Sequence, residues 1–242
     1  METYRLFTKQ PVKKIEEIIL NKAIPVALND LANKLERAGN TTRKENLLNN
    51  LPLLASQGLI ILRKSGQKGK QSYEFLHGCI LAAFLNGIKQ EFQHDVYYPE
   101  NKSYDFLIIK SPRGKKPDFK LPNKEIYKNG LVLKVELAEL TNIQNLKNII
   151  KDKSKDSKRI LLVSFAFNSQ INFQQLFKVT QDANNDNFET IWFMGQTNNP
   201  TDNNKLCYFV AEAIKHKKVF PRFQLLINWD KIKEEVDKVF NK

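Results

Sequence analysis

The segment Leu131–Leu140, LVLKVELAEL, constrains the fold more than any other stretch of this chain. Leu131, Leu133, Val135 and Leu137 alternate with Val132, Lys134, Glu136 and Ala138, the period-two pattern of a strand that buries one apolar face. Arg159–Phe167 (RILLVSFAF) is apolar along most of its length and reads as a buried strand. Asp95–Tyr98, Tyr104–Ile109 and Glu189–Met194 add three further strands. Helical spacing frames them: Ile80, Leu81, Phe84, Leu85, Ile88 and Phe92 over 80–92, then 142–150 and 173–180. A last amphipathic helix, Lys231–Phe240, carries Ile232, Val236 and Phe240 inward, with Asp230 as its cap. The order is helix, strand, strand, strand, helix, strand, helix, strand, which predicts an α/β unit over 77–242.

Charge narrows the class of partner. The chain holds 39 Lys and Arg against 26 Asp and Glu, a net +13. Residues 1–76 and 77–160 each carry +6 and residues 161–242 only +1, so the excess is concentrated in the first two thirds. That is the electrostatic footprint expected of a nucleic-acid ligand. No apolar run approaches the length of a membrane span, and Met1–Gln10 lacks the apolar core of a secretory leader. Two cysteines without a CxxC pair exclude a disulfide framework and a cysteine zinc site, and fit a reducing, cytoplasmic setting. The three histidines lack metal-ligand spacing, and no phosphate-binding glycine motif is present.

The first 76 residues read as a separate unit. Val12–Lys22 has the apolar spacing of a helix, and a second begins near Leu28 and stops at Gly39. Thr42 with Glu45 forms a capping box for a third, which runs towards Gly58 and which Pro52 should kink or split. Leu59–Lys64 and Ser72–Leu76 then read as two strands around a Gly- and Lys-rich turn. Three helices and a basic hairpin resemble a winged helix-turn-helix domain. The resemblance implies groove contacts from Thr42, Arg43, Lys44 and Asn46, and wing contacts to phosphate from Arg63, Lys64, Lys68 and Lys70.

The remainder resembles the restriction-endonuclease-like, or PD-(D/E)XK, nuclease superfamily, whose core is a mixed sheet flanked by helices. In that family an Asp on one strand and a Glu-x-Lys on the next meet at a shared metal ion. The resemblance implies Asp105, at the head of YDFLII, and Glu136 as catalytic residues and as ligands of Mg²⁺ or Mn²⁺. Asp118, in a literal Pro117-Asp118 pair, is the alternative first acid. The family's lysine is replaced by Ala138, while alternation puts Lys134 on the face of Glu136 as the third member. Glu139 points to the opposite face, and the resemblance offers Glu91, on the helix over 80–92, as an additional acid. The basic, proline-broken stretch Lys110–Lys128, with Arg113, Lys115 and Lys116, would follow the phosphate backbone.

The expected protein is therefore a winged-helix module, 1–76, ahead of a restriction-endonuclease-like domain, 77–242. It would cut double-stranded DNA in a metal-dependent reaction, as a restriction or defence nuclease, and a homodimer would supply the two active sites that cutting both strands needs. A non-catalytic DNA-binding regulator or accessory subunit with a degenerate nuclease fold is the alternative, supported by Ala138. An RNA ligand is the third, since phosphate contacts alone do not separate RNA from DNA.

Overall fold

The computed structural model describes residues 9–38, 48, 51–89, 91–97, 105–114, 131–153, 159–165, 171–184, 188–197, 205–214, 217–221 and 223–240. Helix α1 (Lys9–Ile18) passes through a π-helical turn (Ile19–Ala23) into α2 (Ile24–Ala38), and α3 (Leu51–Lys64) and α4 (Gln67–Ile88) follow. Then come β1 (Phe92–Tyr97), β2 (Phe106–Pro112), β3 (Leu131–Leu140), α5 (Leu146–Lys153), β4 (Arg159–Phe165), α6 (Phe173–Asn184) and β5 (Phe188–Thr197). β6 (Lys205–Glu212), β7 (Lys218–Val219), β8 (Phe223–Leu226) and α7 (Asp230–Phe240) complete the described elements. From α4 to β5 this is the element order expected from the sequence. β6 to β8 went unread.

The strands form one mixed sheet in the order β1-β2-β3-β4-β5-β6-β7, with β8 also on β6. β3, β4 and β5 run parallel at its centre, and antiparallel pairs flank them on both sides. The alternation of side chains explains the layers. Ile160, Leu162, Trp192 and Met194 join a buried cluster with Ile15, Leu54, Leu76 and Phe84 of the N-terminal helices. Their neighbours Leu161, Val163, Ile191 and Phe193 pack on the other face with Leu146 and Ile150 of α5 and Leu176 of α6. A sheet buried on both faces accounts for the near-continuous apolar runs of β4 and β5. Among the described residues, no helix is long and apolar enough to cross a membrane.

The N-terminal third departs from the sequence reading. The hairpin expected over 59–76 is absent: Leu59–Lys64 is the second half of α3, and Ser72–Leu76 lies inside α4. Buried Leu51, Leu54, Ala55, Gly58, Leu59 and Leu62 keep the three- and four-residue spacing of a helix, and this packed stripe overrides the strand preference of Ile60 and Ile61. Pro52 sits in the first turn of α3, where the missing N–H costs no hydrogen bond. Gly66, at φ +82°, makes the reversal between α3 and α4 in a region closed to most side chains. The 76/77 boundary thus falls within α4, and residues on both sides of it share one core.

Candidate active site

A cavity of about 470 Å³ opens at the carboxyl ends of the parallel strands β3 and β4, the usual ligand position in open α/β sheets. Leu137, Ala138 and Glu139 of β3, Ser164 of β4 and Asp105 form its sheet side. Ile149, Asp152 and Lys153 of α5 close one flank. Arg63 at the end of α3 and Lys70, Tyr73 and Glu74 of α4 close the other.

Asp105 stands one residue ahead of β2. Phe106 pairs with Val135, so Asp105 comes alongside Glu136. Its N–H donates to the Val135 carbonyl at 3.1 Å, and its Oδ2 accepts the Leu137 N–H at 2.7 Å. The carboxylate is thereby fixed against β3. Glu136 is buried beside it and accepts a hydrogen bond from Lys153 Nζ at 3.0 Å. Local sequence puts Lys153 there. Leu146 and Ile150, both fully buried, anchor α5, and Lys153 follows them at the i+7 and i+3 positions of the same helix face.

The opposite face of β3 presents Glu139, whose carboxylate pairs with the Arg63 guanidinium. Glu139 lies in register with Ser164. Ser164 Oγ is 2.8 Å from His77 Nε2, and His77 Nδ1 is 2.9 Å from the Tyr73 carbonyl oxygen. Burial holds the His77 pKa down to about 4, against an opposing effect of the Tyr73 carbonyl. The ring is therefore neutral near pH 7. A carbonyl only accepts, so Nδ1 carries the proton and Ser164 donates to Nε2. Tyr73, itself pushed up by burial, shares a side-chain hydrogen bond with Ser164. These bonds fasten α4 to the sheet beneath the cavity.

The β2–β3 register brings Asp105 alongside Glu136, with Asp105 in the cavity wall and Glu136 joined to that wall through Lys153. Lys134 is exposed and does not line the cavity, and Glu91 lies in an exposed turn before β1 rather than on a helix. Arg63 and Lys70, assigned to a wing, are helical residues of the cavity wall. Lys64 and Lys68 are exposed at the facing ends of α3 and α4, and Arg113 occupies the turn after β2, 3.5 Å from the Asn86 carbonyl. Thr42, Arg43, Lys44, Asn46, Lys115, Lys116 and Asp118 lie outside the described residues.

Sequence reasoning missed Lys153, Ser164, His77 and Tyr73. Extending the helix over 142–150 by one turn would have placed Lys153 on its apolar side. Ser164 shares the parity of Ile160 and Leu162, and a polar group at a buried strand position needs a partner. That partner, His77, is 87 residues away and no local pattern announces it.

The donor set suits a hard cation. Mg²⁺ takes oxygen ligands and often only one or two carboxylates, with water completing its shell. Asp105 and Glu136 on adjacent strands supply such a pair. Among the described residues no group of three or more His, Cys, Asp or Glu, these two included, is placed to hold a metal ion. The cavity walls carry Glu74, Asp105, Glu139 and Asp152 against Arg63, Lys70 and Lys153, an acidic balance inside a chain of net charge +13.

In class, this is an α/β protein with a central mixed sheet covered by helices and a polar cavity at the ends of its parallel strands. No family model matches the chain, and no curated protein matches it significantly in sequence.

Proposed function

We propose that this chain is a metal-dependent nuclease that hydrolyses phosphodiester bonds of double-stranded DNA, of the restriction or defence type. The observation that carries the reading is Asp105, just ahead of β2 in the wall of an acidic cavity, brought by the strand register alongside buried Glu136 of β3. The order α4, β1, β2, β3, α5, β4 also supports the resemblance to the restriction-endonuclease-like fold. Net charge +13 supplies the attraction for a polyanion outside the cavity.

A bound Mg²⁺ would lower the pKa of a water and offset charge at phosphorus. The chain's own residues do the rest. Asp105, held by the Leu137 amide, and Glu136, held by Lys153, present oxygen ligands already oriented by the sheet. Arg63, steadied by Glu139, and Lys70 face the cavity from the helices and would meet the phosphates of the bound strand.

The test is plasmid cleavage with Mg²⁺ or Mn²⁺ beside an EDTA control, using wild type, Asp105→Ala, Glu136→Ala and Asp118→Ala. The expected result is discrete metal-dependent cutting that Asp105→Ala and Glu136→Ala abolish and Asp118→Ala retains. Loss in Asp118→Ala with retention in Asp105→Ala would transfer the first acid to Asp118. Cleavage of matched RNA in preference to DNA would replace the substrate.

A second reading has its own observation. Ala138 removes the lysine expected after Glu136, and Lys153 already neutralises that acid, as suits a DNA-binding regulator without a metal site. It predicts salt-sensitive DNA binding with every plasmid and single-stranded substrate left intact.

A further inference from the structure

A cation beside the metal helps hydrolysis at a phosphodiester by meeting the charge that grows on the non-bridging oxygens. β3 offers none at the cavity: Ala138 is a methyl group in its wall, and Lys134 is exposed and outside it. Arg63 pairs with Glu139, on the opposite face of β3 from Glu136, and Lys70 is 68% exposed, 3.6 Å from Glu74. Among the described residues, the remaining cation in the wall reaches in from α5. Lys153 Nζ is 3.0 Å from Glu136 Oε2, and its helix turn is fixed by fully buried Leu146 and Ile150.

We propose that Lys153 is the charge-stabilising residue of the cleavage site, delivered by the helix between β3 and β4 rather than by β3 itself. The inference rests on the nuclease reading. Without substrate, the ammonium holds and aims Glu136. With DNA bound, it donates to a non-bridging phosphate oxygen and remains protonated throughout. Water oxygen bonds to phosphorus, the bond from phosphorus to the bridging oxygen breaks, and one water proton ends on the departing alkoxide. Ala138 and Glu136 share a strand face, so a lysine placed at 138 would enter the same cavity.

This geometry makes a rescue experiment decisive. Wild type, Lys153→Ala, Lys153→Arg and Lys153→Ala/Ala138→Lys are compared in Mg²⁺-dependent plasmid cleavage, and in calorimetric Mn²⁺ titration without DNA. Lys153→Ala is expected to cut roughly 100-fold more slowly. It should bind Mn²⁺ at least as tightly as wild type, because a positive charge beside the carboxylate has gone. Lys153→Arg keeps part of the rate, and adding Ala138→Lys restores most of it. Undiminished cleavage by Lys153→Ala, or failure of Ala138→Lys to restore any, would overturn the assignment while leaving the nuclease reading intact. So would loss of Mn²⁺ binding in Lys153→Ala, which would mark a scaffolding role. A wild type that cuts nothing removes the nuclease reading, and this inference with it.

Discussion

Replacing Gly58 with alanine separates local preference from packing, because the two demand opposite signs. In a helix interior alanine is favoured over glycine by about 1 kcal/mol, so propensity alone predicts a more stable protein. At Gly58 the added Cβ would stand 2.0 Å from the carbonyl oxygen of Ala23 and 2.6 Å from its carbonyl carbon. A carbon and a carbonyl oxygen settle no closer than about 3.3 Å, so α3 must withdraw from the π-helical turn by more than an ångström. Both contacts are backbone, and no side chain can swing aside. Leu51, Leu54, Ala55, Leu59 and Leu62 move with the helix out of a core they now fill. Such overpacking costs about 3 kcal/mol at the upper end of its usual range, which leaves a net loss of about 2 kcal/mol. For a chain of this length that lowers Tm by roughly 4–8 °C. Urea unfolding followed by far-ultraviolet circular dichroism, with thermal melts alongside, measures it. A Gly58→Ala protein as stable as wild type, or more so, would refute the close seating of α3 on Ala23. Because α3 ends in Arg63 at the cavity, the same displacement should also reduce cleavage.

Acid should destabilise the fold in a defined window. Burial lowers both His77 and His94 from 6.5 to about 4, with Lys110 and Lys89 adding to the effect at His94. The unfolded chain then binds protons that the native state refuses, so stability is full above pH 6.5 and falls as pH drops towards 4, by up to about 3 kcal/mol per group. His77→Gln should flatten that slope in unfolding titrations, and an unchanged slope would contradict the assignment. Asp105→Ala removes the acceptor of the Leu137 N–H, so that amide should exchange its hydrogen faster, while Asp105→Asn keeps protection and loses cleavage. Equal protection in both variants would show that the carboxylate does not brace β3. Cys79 and Cys207 are buried, and burial pushes the Cys79 thiol up to about 12. Ellman's reagent should therefore label the native protein only as fast as it unfolds, and a rapid native burst would refute this burial.

What the sequence disclosed follows from the range of each signal. β3, β4 and β5 were legible because sheet alternation and continuous apolar runs are local patterns, and both are present in LVLKVELAEL and RILLVSF. The positions of Asp105 and Glu136 were legible because one heads such a run and the other lies within one. The N-terminal error has a physical cause. Leu59, Ile60, Ile61 and Leu62 are apolar enough for either element, and only the longer stripe from Leu51 to Leu62 selects a helix. Gly66 and Gly69 suggested a hairpin tip, yet one makes the break between two helices and the other packs α4 against Leu62. His77 and Ser164 were hidden for a different reason. Their hydrogen bond depends on how α4 lies across β4, a tertiary relation that no window of sequence contains.

The misread hairpin changes the functional argument as well as the fold. A winged module would have put Arg63 and Lys70 on phosphates away from the chemistry, with catalysis left to residues 77–242. As helical residues they become one wall of the same cavity that Asp105 and Lys153 line from the other side. α4 carries Lys70, Tyr73 and Glu74 in that wall, and Leu76, Phe84 and Leu85 in the core beneath. The Tyr73–Ser164–His77 bonds pin the helix to β4 directly below the cavity. The N-terminal helices therefore complete the site. On this arrangement, substitutions in α3 and α4 that leave the core intact should alter cleavage and not merely DNA affinity. Arg63→Ala is the direct case, with urea unfolding measured alongside, because its pair with Glu139 is only 27% exposed on each side and losing one partner leaves a part-buried charge.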